Sequence, residues 1–220
     1  MKKAFTLIEL VFVLVVIGII AATIIPRTNT NPLQEAAVQI LSHIRYTQHL
    51  ALVDDKFDQA DSSWYKKRWL IIFDNNVSVS KDTAYTIFSD NNGANNGDPD
   101  VGVGEIAINP QALDKELTGG YGLSILPSNT AVTKKLNLTK SYGVTDVSFS
   151  GAGCVNDTAR RLNFDHQGRP MIGNLSGLTE AYSNSTLLQA DCNIIISDGT
   201  NNAIITISPE TGYARIIKYK

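Results

Sequence analysis

The sequence has few of the residues that usually carry chemistry. Among 220 residues there are only 2 Cys and 3 His. The cysteines, Cys154 and Cys192, lack the two-residue spacing of a thioredoxin-like redox site, and so few histidines make a zinc cluster improbable. His43 and His49, six positions apart on one helix, fall about 240° round from each other and share no face. His166, in the Asp165-His166-Gln167-Gly168 turn, reads as an ordinary turn residue. There is no Gly-x-Ser-x-Gly, His-Glu-x-x-His or P-loop. The polar run Asp90 to Asp100 fails as an EF-hand, because Ala94 and Asn95 fill its fifth and sixth positions and Val101 its twelfth. No catalytic residue, metal or cofactor is expected. A basic excess is also missing: 19 Lys and Arg stand against 21 Asp and Glu, a net charge of -2, which argues against bulk coating of nucleic acid. With 43% hydrophobic residues the chain is not disordered, and the roughly 165 residues after its first helices suffice for a buried core.

What the sequence does have is concentrated apolar character. Phe5 to Ile25 carries one charge, Glu9, and stops at Pro26. As a helix it would be roughly 31 Å long, enough to cross a bilayer core. Lys2 and Lys3 precede it, so the positive-inside rule keeps the N-terminus cytoplasmic and sends the rest of the chain across the inner membrane. The stretch is longer than the apolar part of a secretory signal peptide. A carboxylate such as Glu9 in hydrocarbon costs about 2.5–3.5 kcal/mol, so it needs a partner.

The run Lys2-Lys3-Ala4-Phe5-Thr6-Leu7-Ile8-Glu9-Leu10 resembles the class III leader of type IV prepilins and type II secretion pseudopilins. The shared features are a short basic leader, a small residue before the cut, Phe as new first residue, Glu four residues later and an uninterrupted apolar helix. Pro26 falls where these proteins usually interrupt that helix. The resemblance implies cleavage between Ala4 and Phe5 by a prepilin peptidase, N-methylation of Phe5, and assembly through the N-terminal helices. Glu9 would then pair with the freed amine of a neighbour's Phe5. Further partners implied are other pilin or pseudopilin subunits, an inner-membrane assembly platform with its ATPase, and DNA or secreted cargo. Ala4 departs from the usual Gly.

From Pro32 the pattern turns amphipathic. Leu33, Ala37, Ile40, Ile44, Thr47 and Ala51 recur at spacings of three and four, predicting a helix with one buried face that ends near Val53. Asn31 suits its cap and Pro32 its first turn. Strand-like runs follow at Trp69–Phe73, Tyr85–Ser89, Glu105–Ile108, Asp146–Phe149, Arg161–Phe164, Cys192–Ser197, Ala203–Ser208 and Tyr213–Tyr219, the last three as an antiparallel meander. Asp90 to Asp100 is expected to be a mobile exposed loop, and Ser176 to Thr186 a second soft region. The expected organisation is a leader at 1–4, a membrane and assembly helix at 5–25, an amphipathic helix at 26–53 and a β-rich periplasmic head at 54–220. The fold class is α+β: a long N-terminal helix, membrane-spanning in its first half and amphipathic in its second, packed on an antiparallel sheet as in the pilin fold.

The head is also similar to the GspH/FimT type of minor pseudopilin, through Ala36, Ala37 and Ile44-Arg45, through Asn163-Phe164-Asp165-His166-Gln167-Gly168-Arg169-Pro170, and through Ile205-Thr206-Ile207 with Thr211-Gly212. In an oxidising compartment Cys154 and Cys192 are expected to bridge, two buried free thiols being the alternative. Relatives of the FimT type hold DNA with basic residues near a C-terminal Gly-Arg-x-Arg. Here the stretch is Gly212-Tyr213-Ala214-Arg215, with the first Arg absent and Arg215, Lys218 and Lys220 remaining. By simple alternation Arg215 and Lys218 fall on opposite strand faces, and Arg160-Arg161 and Lys134-Lys135 are other candidates. The expected function is therefore a minor pilin or pseudopilin, a non-enzymatic filament subunit. The alternatives are a DNA-binding minor pilin and an anchored periplasmic protein that never assembles.

Overall fold

The computed structural model describes residues 6–24, 31–91, 96–154 and 159–219, side chains of 21–24 excepted. Ala4, Phe5, Pro26 and Lys220 therefore lie outside the described residues, as does the centre of the Asp90 to Asp100 run. The chain divides into a unit before Pro32 and a unit from Pro32 onward. The described part of the first holds helix α1, Leu7–Ile24.

The second unit begins with α2, Pro32–Val53, whose ends and buried face follow the sequence pattern. All six stripe residues are buried, and Ala36 joins them. The stripe packs on two antiparallel sheets. One comprises β1 (Leu70–Val77), β2 (Asp82–Phe88), β6 (Arg161–Phe164) and β7 (Pro170–Ile172), ordered β2-β1-β6-β7. The other comprises β5 (Asp146–Ser150), β8 (Cys192–Ser197), β9 (Asn202–Ile207) and β10 (Ala214–Tyr219), ordered β10-β9-β8-β5. Along β8 the buried residues alternate, Cys192, Ile194 and Ile196 facing inward, as a sheet with one covered face requires. The expected meander is present and gains β5 beside β8. A short ribbon of β3 (Ile108–Asn109) and β4 (Ala112–Glu116) and a five-residue helix α3 (Leu138–Tyr142) complete the head. Asn137 caps α3 by accepting from the Lys140 N–H at 3.0 Å.

Asn75 links the two sheets, beside a ring contact between Phe73 of β1 and Phe149 of β5. A bulge between Asp74 and Val77 interrupts the β1–β2 register, and there Asn75 bonds to the edge of β5. Its Nδ2 donates to the Val147 carbonyl at 3.1 Å while its Oδ1 accepts from the Val147 N–H at 3.3 Å. This carboxamide imitates a strand partner and closes that edge.

Three local expectations are corrected. Glu105–Ile108 is not a strand: it contributes an isolated bridge at Ile106 and then the start of β3. The Asp90 to Asp100 run is not a free loop over its described residues. Asp90 is 1% exposed and Glu105 is fully buried; Asp90 Oδ2 accepts from the Gly97 N–H at 2.6 Å, and Glu105 from the Asn91 and Asp100 N–H groups at 3.1 and 3.0 Å. Burying a carboxylate demands such donors, and they tie the run down at both ends. Ser176 to Thr186 is likewise held, since Arg68 Nη1 donates to the Ala181 carbonyl at 2.7 Å and the Tyr65 hydroxyl to that of Leu178 at 3.1 Å.

Candidate assembly site

Helix α1 is apolar on every side, and its described side chains are exposed. Leu7, Ile8 and Phe12 are 82%, 78% and 70% exposed, and Leu10, Leu14, Ile17 and Ile19 more than half. An uncovered helix without a polar face must be covered by lipid or by other protein. Its one charged residue, Glu9, is exposed in the first turn, where the helix dipole favours a carboxylate. The Glu9 N–H reaches the Thr6 hydroxyl at 3.4 Å. The helix as described runs for 18 residues, roughly 27 Å. Among the described residues no helix is long and apolar enough to cross a membrane, so the expectation of a spanning helix over Phe5 to Ile25 is not met there.

Residues 1–25 match the family model of the prokaryotic N-terminal methylation motif. This N-terminal segment is that of a type IV prepilin-like protein. No curated protein and no solved structure matches the chain. The motif implies processing by prepilin peptidase and association with other pilin subunits. It covers the residues that carry the sequence resemblance at this end: Ala4, Phe5 and Glu9.

In the head of this prepilin-like protein, the dispersed motifs of the sequence meet on α2. Gln48 Nε2 donates to the Gly168 carbonyl and to the Thr211 carbonyl, both at 2.8 Å. It thereby joins the His166-Gln167-Gly168 turn to Thr211-Gly212. Gly212 has φ +61°, and a Cβ there would stand 2.7 Å from Gln48 Nε2 and from the Gly168 carbonyl oxygen and 3.0 Å from the Phe164 ring, which explains glycine there. One turn earlier Arg45 Nη2 donates to the Ala214 carbonyl at 2.9 Å. Sequence reasoning missed Gln48; the signal was a polar residue four positions after Ile44, on the border of the buried stripe.

The same helix holds a polar network the sequence did not announce. Tyr85, fully buried, accepts from Gln39 Nε2 at 2.7 Å, and its oxygen lies 2.7 Å from His43 Nδ1. The Tyr142 hydroxyl donates to Gln39 Oε1 at 2.6 Å. With Gln39 supplying one proton to Tyr85, the tyrosine's own proton goes to Nδ1, which requires a neutral His43. Burial lowers the His43 pKa below its ordinary value of 6.5. The unfolded chain then binds the extra proton first, so stability is complete above about pH 6.5 and is lost as the pH falls below it. The thermal midpoint of the wild type should drop more between pH 7.5 and pH 5.5 than that of His43→Phe; equal drops would mean His43 does not control this dependence.

Cys154 and Cys192 are bridged, with Cα atoms 5.4 Å apart. The cationic candidates separate. Arg161 is buried, with Nη2 on Asp98 at 2.8 Å and Nη1 on the Gly97 carbonyl, so it is not available to a ligand. Lys134 and Lys135 are exposed. Arg215 and Lys218 reverse the expectation of opposite faces. Arg215 pairs with Thr206, Ile216 with Ile205, but Lys218 with Ile204, because a bulge at Ile217 inserts one residue. Thr206 and Ile204 share a face of β9, so Arg215 and Lys218 share the outer face of the sheet.

Proposed function

We propose that this chain is a minor pilin or pseudopilin, a structural subunit of a type II secretion or type IV pilus-like filament, of the GspH/FimT type. The observation that carries this reading is the methylation motif continuing into a helix with apolar side chains exposed all round. Processing at Ala4-Phe5 frees an amine on Phe5, Glu9 of a neighbour neutralises it, and the apolar helices, up to Pro26, bury one another in the filament core. Before assembly the whole apolar segment Phe5 to Ile25, longer than the described part of α1, is the inner-membrane anchor, N-terminus cytoplasmic and head periplasmic, and a cytoplasmic ATPase acting through the platform drives growth. The deciding measurement is the intact mass and N-terminal sequence of the protein from native membranes, with and without prepilin peptidase. A peptidase-dependent start at methylated Phe5 is expected; an intact Met1 overturns the reading and favours a singly anchored periplasmic protein. Glu9→Ala should cut assembled subunits at least tenfold while leaving the thermal midpoint of the head unchanged.

A second reading, a minor pilin that holds DNA for uptake, is favoured by the bulge that puts Arg215 and Lys218 on one face, with Tyr213 beside them for stacking. If both cations meet phosphates, Arg215→Ala with Lys218→Ala should reduce the slope of log affinity against log salt by about 1.4–1.8. No binding of the wild type at low salt ends this reading.

A further inference from the structure

The exposed side of α2 carries two surfaces of opposite charge at different heights. The first is a groove of about 600 Å³ between the N-terminal half of α2 and segment 109–142, with Val38 and Leu136 among its walls. It adjoins another of about 450 Å³, sharing Asn109, Thr133 and Lys135. Lys134 and Lys135 line these grooves, are exposed, and take part in no ion pair among the described residues. The groove walls carry one carboxylate, Glu35, in the first turn of α2.

The second surface is a knob where α2 ends. Leu52, Val53 and Phe57 are 51%, 63% and 61% exposed. The Phe57 ring is held edge-on against Trp64 at 5.3 Å, which fixes its position without covering it. Asp55 and Asp58 flank it. Their carboxylates accept only from nearby backbone, the Phe57 and Ala60 N–H groups, and neither joins an ion pair among the described residues.

Knob and groove therefore match in character and oppose in charge, an acid-flanked apolar projection against a lysine-rimmed apolar recess. Leu52 and Val53 fall about 40° and 60° to either side of Val38 round the helix, and roughly 22 Å along it. One rigid helix carries both, so a chain cannot seat its own knob in its own groove. We propose that the Leu52–Phe57 knob of one chain seats in the α2 groove of a second copy, with Asp55 and Asp58 facing Lys134 and Lys135. The two patches differ, so the contact is head-to-tail, and such a contact repeats into an open filament unless its rotation closes a ring. The inference rests on the filament-subunit reading and adds to it a contact between heads.

The test is a cysteine pair in the full-length chain, assembled in its own host membranes. Val38→Cys with Phe57→Cys replaces two exposed side chains, and both native cysteines are already bridged. Mild oxidation should give a ladder of trimers and above; each single variant should give no ladder, and a mixture of the two singles should stop at dimers. As an independent check, Lys134→Glu with Lys135→Glu should reduce filaments at least fivefold, and adding Asp55→Lys with Asp58→Lys should restore them. Filaments visible by electron microscopy without ladder or rescue overturn the contact and leave the subunit reading standing. No filaments, together with an intact Met1, overturn both.

Discussion

Gly119→Ala should destabilise the head by about 3 kcal/mol. A Cβ on Gly119 would stand 2.2 Å from the Leu136 carbonyl carbon, 2.3 Å from its oxygen and 2.4 Å from the Asn137 nitrogen. These are backbone atoms, and no rotamer change relieves them. Neither side has room to retreat. The Gly119 N–H donates to the Tyr85 carbonyl at 3.0 Å, Thr118 bridges to Thr86, and Asn137 bridges to Ala84. Strand β2 thus holds both segments against each other, and separating them opens the pairing that covers Tyr85. For a domain of this size about 3 kcal/mol corresponds to a fall of roughly 6–12 °C in thermal midpoint. Gly177→Ala is the control, since a Cβ there meets nothing within 4 Å; its midpoint should move by about 1–2 °C at most, a surface effect within about 0.5 kcal/mol. Similar midpoints for the two variants would mean the segment 116–120 yields more easily than its pairing indicates.

Removing the disulfide should cost about 4 kcal/mol, the loop-closure value for 38 residues. The bridge fixes the turn at Ala152–Cys154 to the first residue of β8, and both cysteines are buried against the core under α2. Alanine is the right replacement, because a serine hydroxyl would add the cost of an unpaired buried polar group. Denaturant unfolding of Cys154→Ala with Cys192→Ala, and of the wild type under strong reductant, should show the same loss. A loss below about 1 kcal/mol in both would show that the unfolded chain is already confined in this region.

The parts of this fold legible in the sequence are those set by local periodicity. The stripe from Leu33 to Ala51 named the buried face of α2 residue by residue, because a helix against a core has one way to hide its apolar side chains. Strands β6 and β8 were bounded correctly by their neighbouring turns. What stayed hidden depends on contacts distant in sequence. The link between the two sheets through Asn75 and Val147 is one such contact, and nothing in the Asp74–Val77 run signals it. The anchoring of Asp90 requires Gly97 and Glu105 to converge, whereas composition alone suggested a free loop. The shared face of Arg215 and Lys218 depends on one inserted residue in β10, which a count of alternating positions cannot see. At the candidate site the motif around Ala4, Phe5 and Glu9 was readable from a few residues, since it is a linear signal for an enzyme. The groove and knob on α2 were not, because the groove's second wall comes from residues about 70–100 positions later.

Gln48 has a further consequence, for when the head can form. Its two bonds reach 120 and 163 positions along the chain, and Arg45 reaches 169. The first helix of the head thus waits for nearly its last residues before its polar flank is satisfied. During synthesis the chain passes through a long interval in which α2 has no finished surface to dock on, and a product stopped before Thr211 lacks two of the three acceptors that hold it, Thr211 and Ala214. Maturation is therefore tied to completion: a subunit that has folded its head has also finished its C-terminal strand.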